Sequence, residues 1–325
     1  MEAQKDYTPM KIVVPVPLNS EMEIPIMQAV YFAQNYGAQI TILHVTNEHS
    51  KFATFFSPHK RYTYRKKIAR KLKQYVKARF ANDPVFDDIK FKVKSGELVT
   101  TILGYAAKSG ADLIIIKKAK QVSGRRRLWK QENADRLIAN STCPVFTIYK
   151  LPTYNGINKI LLPVDIIKKT DNKVAWAKSM AKIFGAEIKI VSVMNMNIKR
   201  DDSLAYQKGR RIEQEMRREG INAELVLLRT DERSKEDLVL EYAETYRPDL
   251  LLIMTHQENL IVAKYLGNFA RQIIHKAEMP VLSMIPNSED IFNGLIDSLS
   301  DMSGSKQSVN GKHVSMRSRK KYSEA

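Results

Sequence analysis

A single cysteine, Cys143, stands in 325 residues. It excludes an internal disulfide and, with no second thiol, a thiolate metal cluster, so a reducing compartment such as the cytoplasm is the economical expectation. Placed at a strand start with no evident histidine partner, it reads as an inert core thiol rather than a nucleophile. No apolar run exceeds strand length, and residues 1–11 carry no apolar stretch of the secretory kind. Neither membrane insertion nor export is expected. Also missing are paired carboxylates, a nucleophile with a nearby base and a phosphate-loop lysine motif, so nothing marks an enzyme. His256 and His275 lack carboxylate or cysteine partners at ligand spacing, and no metal site is expected from them.

What the chain does have, it has twice. Lys11-Ile12-Val13-Val14-Pro15-Val16 and Gly37-Ala38-Gln39-Ile40-Thr41-Ile42-Leu43-His44-Val45 return 148 residues later as Lys159-Ile160-Leu161-Leu162-Pro163-Val164 and Gly185-Ala186-Glu187-Ile188-Lys189-Ile190-Val191-Ser192-Val193. Ala111-Asp112-Leu113-Ile114-Ile115-Ile116 matches Pro248-Asp249-Leu250-Leu251-Leu252-Ile253 at an offset of 137, and Cys143-Pro144-Val145 matches Met279-Pro280-Val281 at 136. A period this long means two domain-sized units, each with its own core. The boundaries expected are 1–150, 151–287 and a remainder, 288–325. The shift in offset puts 11 extra residues between the second and fourth strands of the first copy.

Each half alternates β-branched apolar runs with stretches of helical period, the pattern of βαβ units and a parallel sheet. Strands are expected near 11–16, 38–45, 89–94, 112–117 and 144–149, and near 159–164, 186–193, 222–228, 249–254 and 280–285. Helices are expected near 22–36, 60–80, 97–109 and 128–140, and near 172–184, 202–219, 235–246 and 260–276. Ser234-x-x-Asp237 has the form of a capping box, and Gly37 and Gly185 fall where a helix must stop. The short 151–158 linker, with its Pro and Asn-Gly turn chemistry, implies halves that pack together. Duplication implies two five-stranded parallel sheets, with no single continuous sheet of mixed direction. Beyond 287, Ile291, Phe292, Leu295, Ile296 and Leu299 suit one amphipathic helix, and 302–325 reads as a disordered basic tail.

At the strand-end motifs the chain resembles the universal stress protein family in a tandem, two-domain form, over roughly residues 10–286. That family has a Val-Pro-Val-Asp first strand, a His-Val-ending second strand, an Asp-Leu-Ile-Val fourth strand, then Gly-x2-Gly-x9-Gly-Ser/Thr and a closing Cys-Pro-Val strand. The resemblance implies a doubly wound α/β fold with strand order 3-2-1-4-5 in each half, and a ligand site where that order switches. It implies pairing of the last strands, 145–149 with 281–285. It also implies a role in stress response and an adenine nucleotide (AMP, ADP or ATP) as ligand. Carried over, the candidate nucleotide residues lie in the second half: Asp165, Val193, His256, Gly267 and Asn268, with Met254 and Gln257 where the first two glycines would be. In nucleotide-binding members those glycines let backbone N–H groups reach phosphate oxygens, so their loss argues against a triphosphate cradle. In the first half Pro17 replaces the aspartate, Lys117 and Lys120 replace the two glycines, and Lys130-Gln131-Glu132 covers the Gly-Ser position.

Charge is divided as unevenly as the motifs. Of a net +18, residues 1–150 carry 26 Lys/Arg against 12 Asp/Glu, whereas 151–287 carry 21 against 18. Lys117, Lys120, Arg125, Arg126 and Arg127 crowd the loop after the fourth strand. Ten Lys/Arg and no acid fall between 60 and 79, among them Lys66, Lys67, Arg70 and Lys71, while Ile68, Leu72, Tyr75, Val76 and Phe80 recur at helical spacing. That is an amphipathic helix whose basic face is either simply solvated or docks an anion, with Tyr62 and Tyr64 available for stacking. Three functional readings follow. One is a non-catalytic, ligand-responsive stress-response protein with a degenerate adenine-nucleotide site in its second half. Another is an electrostatic docking protein whose basic half binds nucleic acid or an acidic partner. The third is a slow nucleotide hydrolase, in which Asp165→Ala would abolish phosphate release.

Overall fold

Glycine and serine set the ends of the helices. In a computed structural model describing residues 9–46, 58–80, 84–118, 130–150, 156–165, 170–195, 204–230, 232–255 and 266–285, α1 (Glu23–Tyr36) stops at Gly37, whose φ of 62° lies in the left-handed region. Its counterpart α5 (Asp171–Phe184) stops at Gly185 with φ 65°. Both glycine N–H groups return to a carbonyl of the last turn, which a β-carbon would disfavour in that conformation. Ser234 opens α7 (Lys235–Tyr246) by accepting the Asp237 N–H at 3.1 Å and donating to the Asp237 carboxylate at 2.7 Å.

The first half builds β1 (Lys11–Pro15), β2 (Gln39–Thr46), β3 (Lys90–Ser95), β4 (Leu113–Lys117) and β5 (Val145–Ile148), with α2 (Pro58–Phe80), α3 (Leu98–Ser109) and α4 (Gln131–Asn140) between them. The second builds β6 (Lys159–Pro163), β7 (Glu187–Asn195), β8 (Ala223–Thr230), β9 (Leu250–Met254) and β10 (Val281–Met284), with α6 (Leu204–Arg218) and α8 (Asn268–Lys276) completing its helices. The sheet order is β3-β2-β1-β4-β5-β10-β9-β6-β7-β8, so each half reads 3-2-1-4-5 with every internal pairing parallel. The repeated aspartates have a structural task in this topology. Asp112 accepts the Lys11 N–H at 2.8 Å, and Asp249 accepts those of Asn158 and Lys159 at 2.8 and 2.9 Å, closing the free ends of β1 and β6.

One sequence expectation is corrected at the centre. The last strands do meet, Val281 opposite Thr147, Leu282 opposite Phe146 and Ser283 opposite Val145, and they run antiparallel. That pairing merges the two parallel sheets into one continuous ten-stranded sheet of mixed direction. The reason is the edge left by a five-stranded open sheet: β5 and β10 each expose a row of backbone donors and acceptors, and each satisfies the other's. Residues 286–325, including the expected amphipathic segment and basic tail, lie outside the described residues.

Two cores run the length of the sheet, one on each face. Val30 of α1, Leu72 of α2, Trp176 of α5 and Met216 of α6 share one; Ile102 of α3, Leu137 of α4, Val239 of α7 and Ile273 of α8 share the other. Both cross the junction. Tyr36 of α1 meets Phe184 of α5 across it at 5.4 Å, and within the first half Phe32 meets Phe146 of β5 edge-on at 5.5 Å. Most of the extra residues of the first copy go into α2, 23 residues long against 15 for α6. Among the described residues no helix is long and apolar enough to cross a membrane.

Candidate functional site

The carboxyl ends of β6 and β9 diverge where the strand order of the second half switches, and a cleft of about 260 Å³ opens there. Its walls are apolar where the strands supply them: Val164, Val191, Val193 and Met254, with Val239 from α7. Its polar groups come from the helix starts and strand ends: Asp165, Lys173, Lys235, Glu236 and Asn268. An apolar body with a few convergent polar groups suits a small ligand with one flat face and one charged end.

Asp165 follows β6 and stays about one-third exposed, its carboxylate 3.7 Å from the Lys235 ammonium. Helix α5 begins at Asp171 after Thr170, whose own side chain makes no capping bond. Lys173 donates to the Pro163 carbonyl at 3.1 Å, bracing the rim. Across the cleft Gly267 precedes α8, and its N–H donates to the Thr255 carbonyl at 3.1 Å. The first intrahelical donor of α8 is Arg271, to Gly267 at 2.9 Å. The N–H groups of Asn268, Phe269 and Ala270 therefore have no backbone acceptor among the described residues, and all three residues line the cleft. With the positive end of the helix dipole, they form an anion-directed wall. Gly267 has an ordinary φ of −58°, and a β-carbon there would sit 3.5 Å from the Thr255 oxygen, a normal contact. Among the described residues no contact demands glycine at 267.

The structure thus brings Asp165, Val193, Met254, Gly267 and Asn268 around one cleft. His256 and Gln257 lie outside the described residues. Lys173, Lys235 and Glu236 were not singled out from the sequence, although Lys235 and Glu236 directly follow the capping Ser234, a signal that α7 starts at the strand ends. Asn268 donates to Glu236 at 3.4 Å, tying the two helix starts together.

The first half differs at each matching position. Pro17 offers no carboxylate, Lys117 ends β4 where Met254 ends β9, and Lys130 stands before α4 where Gly267 stands before α8. Of the proposed docking cations, Lys66, Lys67, Arg70 and Lys71 are exposed on α2. Lys117 is three strands in from the edge beside which α2 packs, so these groups form no single patch. Lys120, Arg125, Arg126 and Arg127 lie outside the described residues. Cys143 is buried, and its desolvation pushes the thiol up to about 12.

His275 requires a correction. It has a carboxylate partner, Asp135 of α4, at 2.8 Å, and the same carboxylate lies 3.3 Å from Arg271 Nε. The pair joins the two halves across 140 residues of sequence, which is why spacing along the chain concealed it. Among the described residues no group of three or more His, Cys, Asp or Glu has the geometry to hold a metal.

Comparison with known proteins follows the same division of the chain. The model of the universal stress protein family matches it twice, over residues 9–148 and 156–283. Among solved structures, a universal stress protein from Archaeoglobus fulgidus DSM 4304 is 17% identical, covering 85% of this chain and 96% of that one with a TM-score of 0.62. A putative universal stress protein from Pseudomonas aeruginosa UCBPP-PA14 is 15% identical, covering 90% and 99% with a TM-score of 0.60. A universal stress protein from Archaeoglobus fulgidus in complex with dAMP is 22% identical, covering 39% of this chain and 97% of that one with a TM-score of 0.32. A search of curated proteins finds no match.

Proposed function

The chain belongs to the universal stress protein family, and from that premise we propose that it is a non-catalytic, ligand-responsive stress-response protein of the cytoplasm, holding an adenine nucleotide in the cleft of its second half. The observation that carries the reading is the convergence of Asp165, the apolar strand ends and the first-turn N–H groups of α8, which have no backbone acceptor among the described residues, on one cleft. Asp165 would accept from the adenine amino group, the valines and Met254 would sandwich the ring, and the α8 N–H groups with Lys235 would meet a phosphate. Met254 and Gln257 stand where nucleotide-binding members of the family keep glycines, so extra phosphates gain little. AMP and ADP should therefore compete as well as ATP. No catalytic role is assigned because neither cleft hydroxyl, Thr170 nor Thr255, has a hydrogen-bonded base among the described residues.

Isothermal calorimetry tests this directly. AMP, ADP and ATP should bind the full chain with similar affinity, and Asp165→Ala should weaken all three by about tenfold, roughly 1.4 kcal/mol. A strong preference for ATP, or no effect of Asp165→Ala, would count against it.

A second reading is favoured by α2. Lys67, Arg70, Lys71, Lys73 and Lys77 have no acidic partner among the described residues, and Tyr62 and Tyr64 are more than half exposed beside them. Such a face suits the phosphate backbone of a nucleic acid, with the tyrosines available to bases.

A further inference from the structure

The two halves do not hold each other symmetrically. Lys118 follows β4 as Thr255 follows β9, and the backbone does the same work at both places: the Lys118 N–H donates to Ile148 at 2.8 Å, and the Thr255 N–H to Met284 at 2.9 Å. The side chains diverge. Thr255 is short and buried in its own half. Lys118 reaches across the junction and donates to the carbonyls of Ile274 at 2.8 Å, His275 at 3.0 Å and Ala277. These lie at the carboxyl end of α8, which bears the negative end of the helix dipole, and they use all three donors of the ammonium.

Asp135 adds a second grip on the same helix, one turn apart, through His275 and Arg271. The Arg271 contact is electrostatic, its Nε–H lacking an aligned acceptor. The residue matching Asp135 in the second half is Arg271, and the one matching His275 is Ala139, so the reciprocal grip on α4 is missing. Helix α8 is nine residues long, about 13 Å at 1.5 Å per residue. One end is held by the first half, and the other forms the anion-directed wall of the cleft.

We propose that the first half acts as a clamp on α8, with Lys118 and Asp135 as positioning residues that fix the cleft wall of the second half and so set its affinity for an anionic ligand. The affinity part of this rests on the nucleotide reading above; the clamping part does not. A rigid helix has no hinge between its grip and its N-terminus, so loosening one end moves the other. The first half, having lost the aspartate and glycine of its own site, keeps a use for the same loop in holding its partner's.

The test uses the full chain, Lys118→Met and Asp135→Asn, each confirmed folded by circular dichroism. Amide hydrogen exchange without ligand reads the clamp: both variants should exchange faster at Arg271 and Gln272, in the first turn of α8, with α5 unchanged. Faster exchange confined to residues 275–278 would overturn the proposal, because the grip would then be local. Calorimetry with ADP reads the affinity: each variant should bind roughly five- to tenfold more weakly at pH 7, within the usual range of coupling between sites. Desolvation lowers the Lys118 ammonium to about 8. Its charged surroundings are Glu278, itself paired with Lys150, and the face of Tyr149 at 5.7 Å; on α8 itself, Arg271 and His275 face Asp135 of α4. The neutral amine offers one donor fewer and no charge. Wild-type affinity should therefore decline as pH rises from 7 through 8 to 9.5, while Lys118→Met gives a flatter profile. Equal affinity and an equal pH slope in wild type and Lys118→Met would overturn the affinity claim. If ADP does not bind the wild type, the nucleotide reading fails and the exchange measurement alone decides the clamp.

Discussion

Arg247 ends α7 as Gly110 ends α3, 137 positions apart, and both backbones are left-handed, with φ 53° and 60°. Both N–H groups return to the last helical turn, Arg247 to Ala243 at 2.8 Å and Gly110 to Ala107 at 3.3 Å. The conformation costs glycine almost nothing and a residue with a β-carbon about 1 kcal/mol or more. The exposed Arg247 side chain makes no hydrogen bond among the described residues to offset that cost. Arg247→Gly should therefore stabilise the protein by about 0.5–1 kcal/mol, the gain being reduced by the greater freedom of glycine in the unfolded chain. A urea denaturation midpoint that rises bears this out; one that falls shows that Arg247 does more than end a helix. The Gly110 and Arg247 pair is visible in the aligned halves, but its strain is not, since a sequence does not give the sign of φ.

Helix α2 is the element in which the halves differ most. Its inward residues, Ile68, Leu72 and Val76, are buried against the sheet, and the apolar spacing alone located them. Its outward face holds ten cations and no acid, and Arg79 is held by Glu23 of α1 at 2.9 Å. Lys66 lies over the Tyr62 ring at 4.8 Å, so cation and aromatic are already side by side. If this face docks nucleic acid, single-stranded RNA should bind with little sequence preference, and log affinity should fall linearly with log salt. Replacing Lys66, Lys67, Arg70 and Lys71 by Ala should lower affinity at low salt and flatten the slope by about 0.7 for each phosphate that is no longer neutralised. Fluorescence anisotropy measures both quantities. Absence of binding at low salt would leave α2 a solvated basic face, a reading the sequence permits equally well, because charge along a helix reports attraction without naming a partner.

At the scale of the whole chain, duplication made the fold legible and concealed the contacts that unite it. Strand and helix positions followed from apolar patterning repeated in register, while the 3-2-1-4-5 order and the meeting of the last strands were implied by the family resemblance that the repeated motifs carry. Asp165, Gly267 and Asn268 were carried over from the same resemblance, and the structure sets them around one cleft at the switch point. The Lys118 grip on α8 spans 156–159 residues and the Asp135–His275 pair 140, separations fixed only once β5 and β10 run antiparallel. That junction should also govern how the protein unfolds. Phe146 is buried in β5, pairs with Leu282 in register and packs on Phe32, so it belongs to a core that continues into the second half. Truncation to alanine removes a buried ring and leaves a cavity that close-packed neighbours fill only in part, at a cost of about 3–5 kcal/mol. If the continuous cores make the halves one cooperative unit, Phe146→Ala should shift a single denaturation transition. In a Trp129→Phe background, tryptophan fluorescence from Trp176 in the second half and far-ultraviolet circular dichroism from the whole chain should then shift together. Loss of circular dichroism at low urea with the Trp176 transition unmoved would show instead that the halves unfold separately, and a first half able to melt alone could not hold α8 in place.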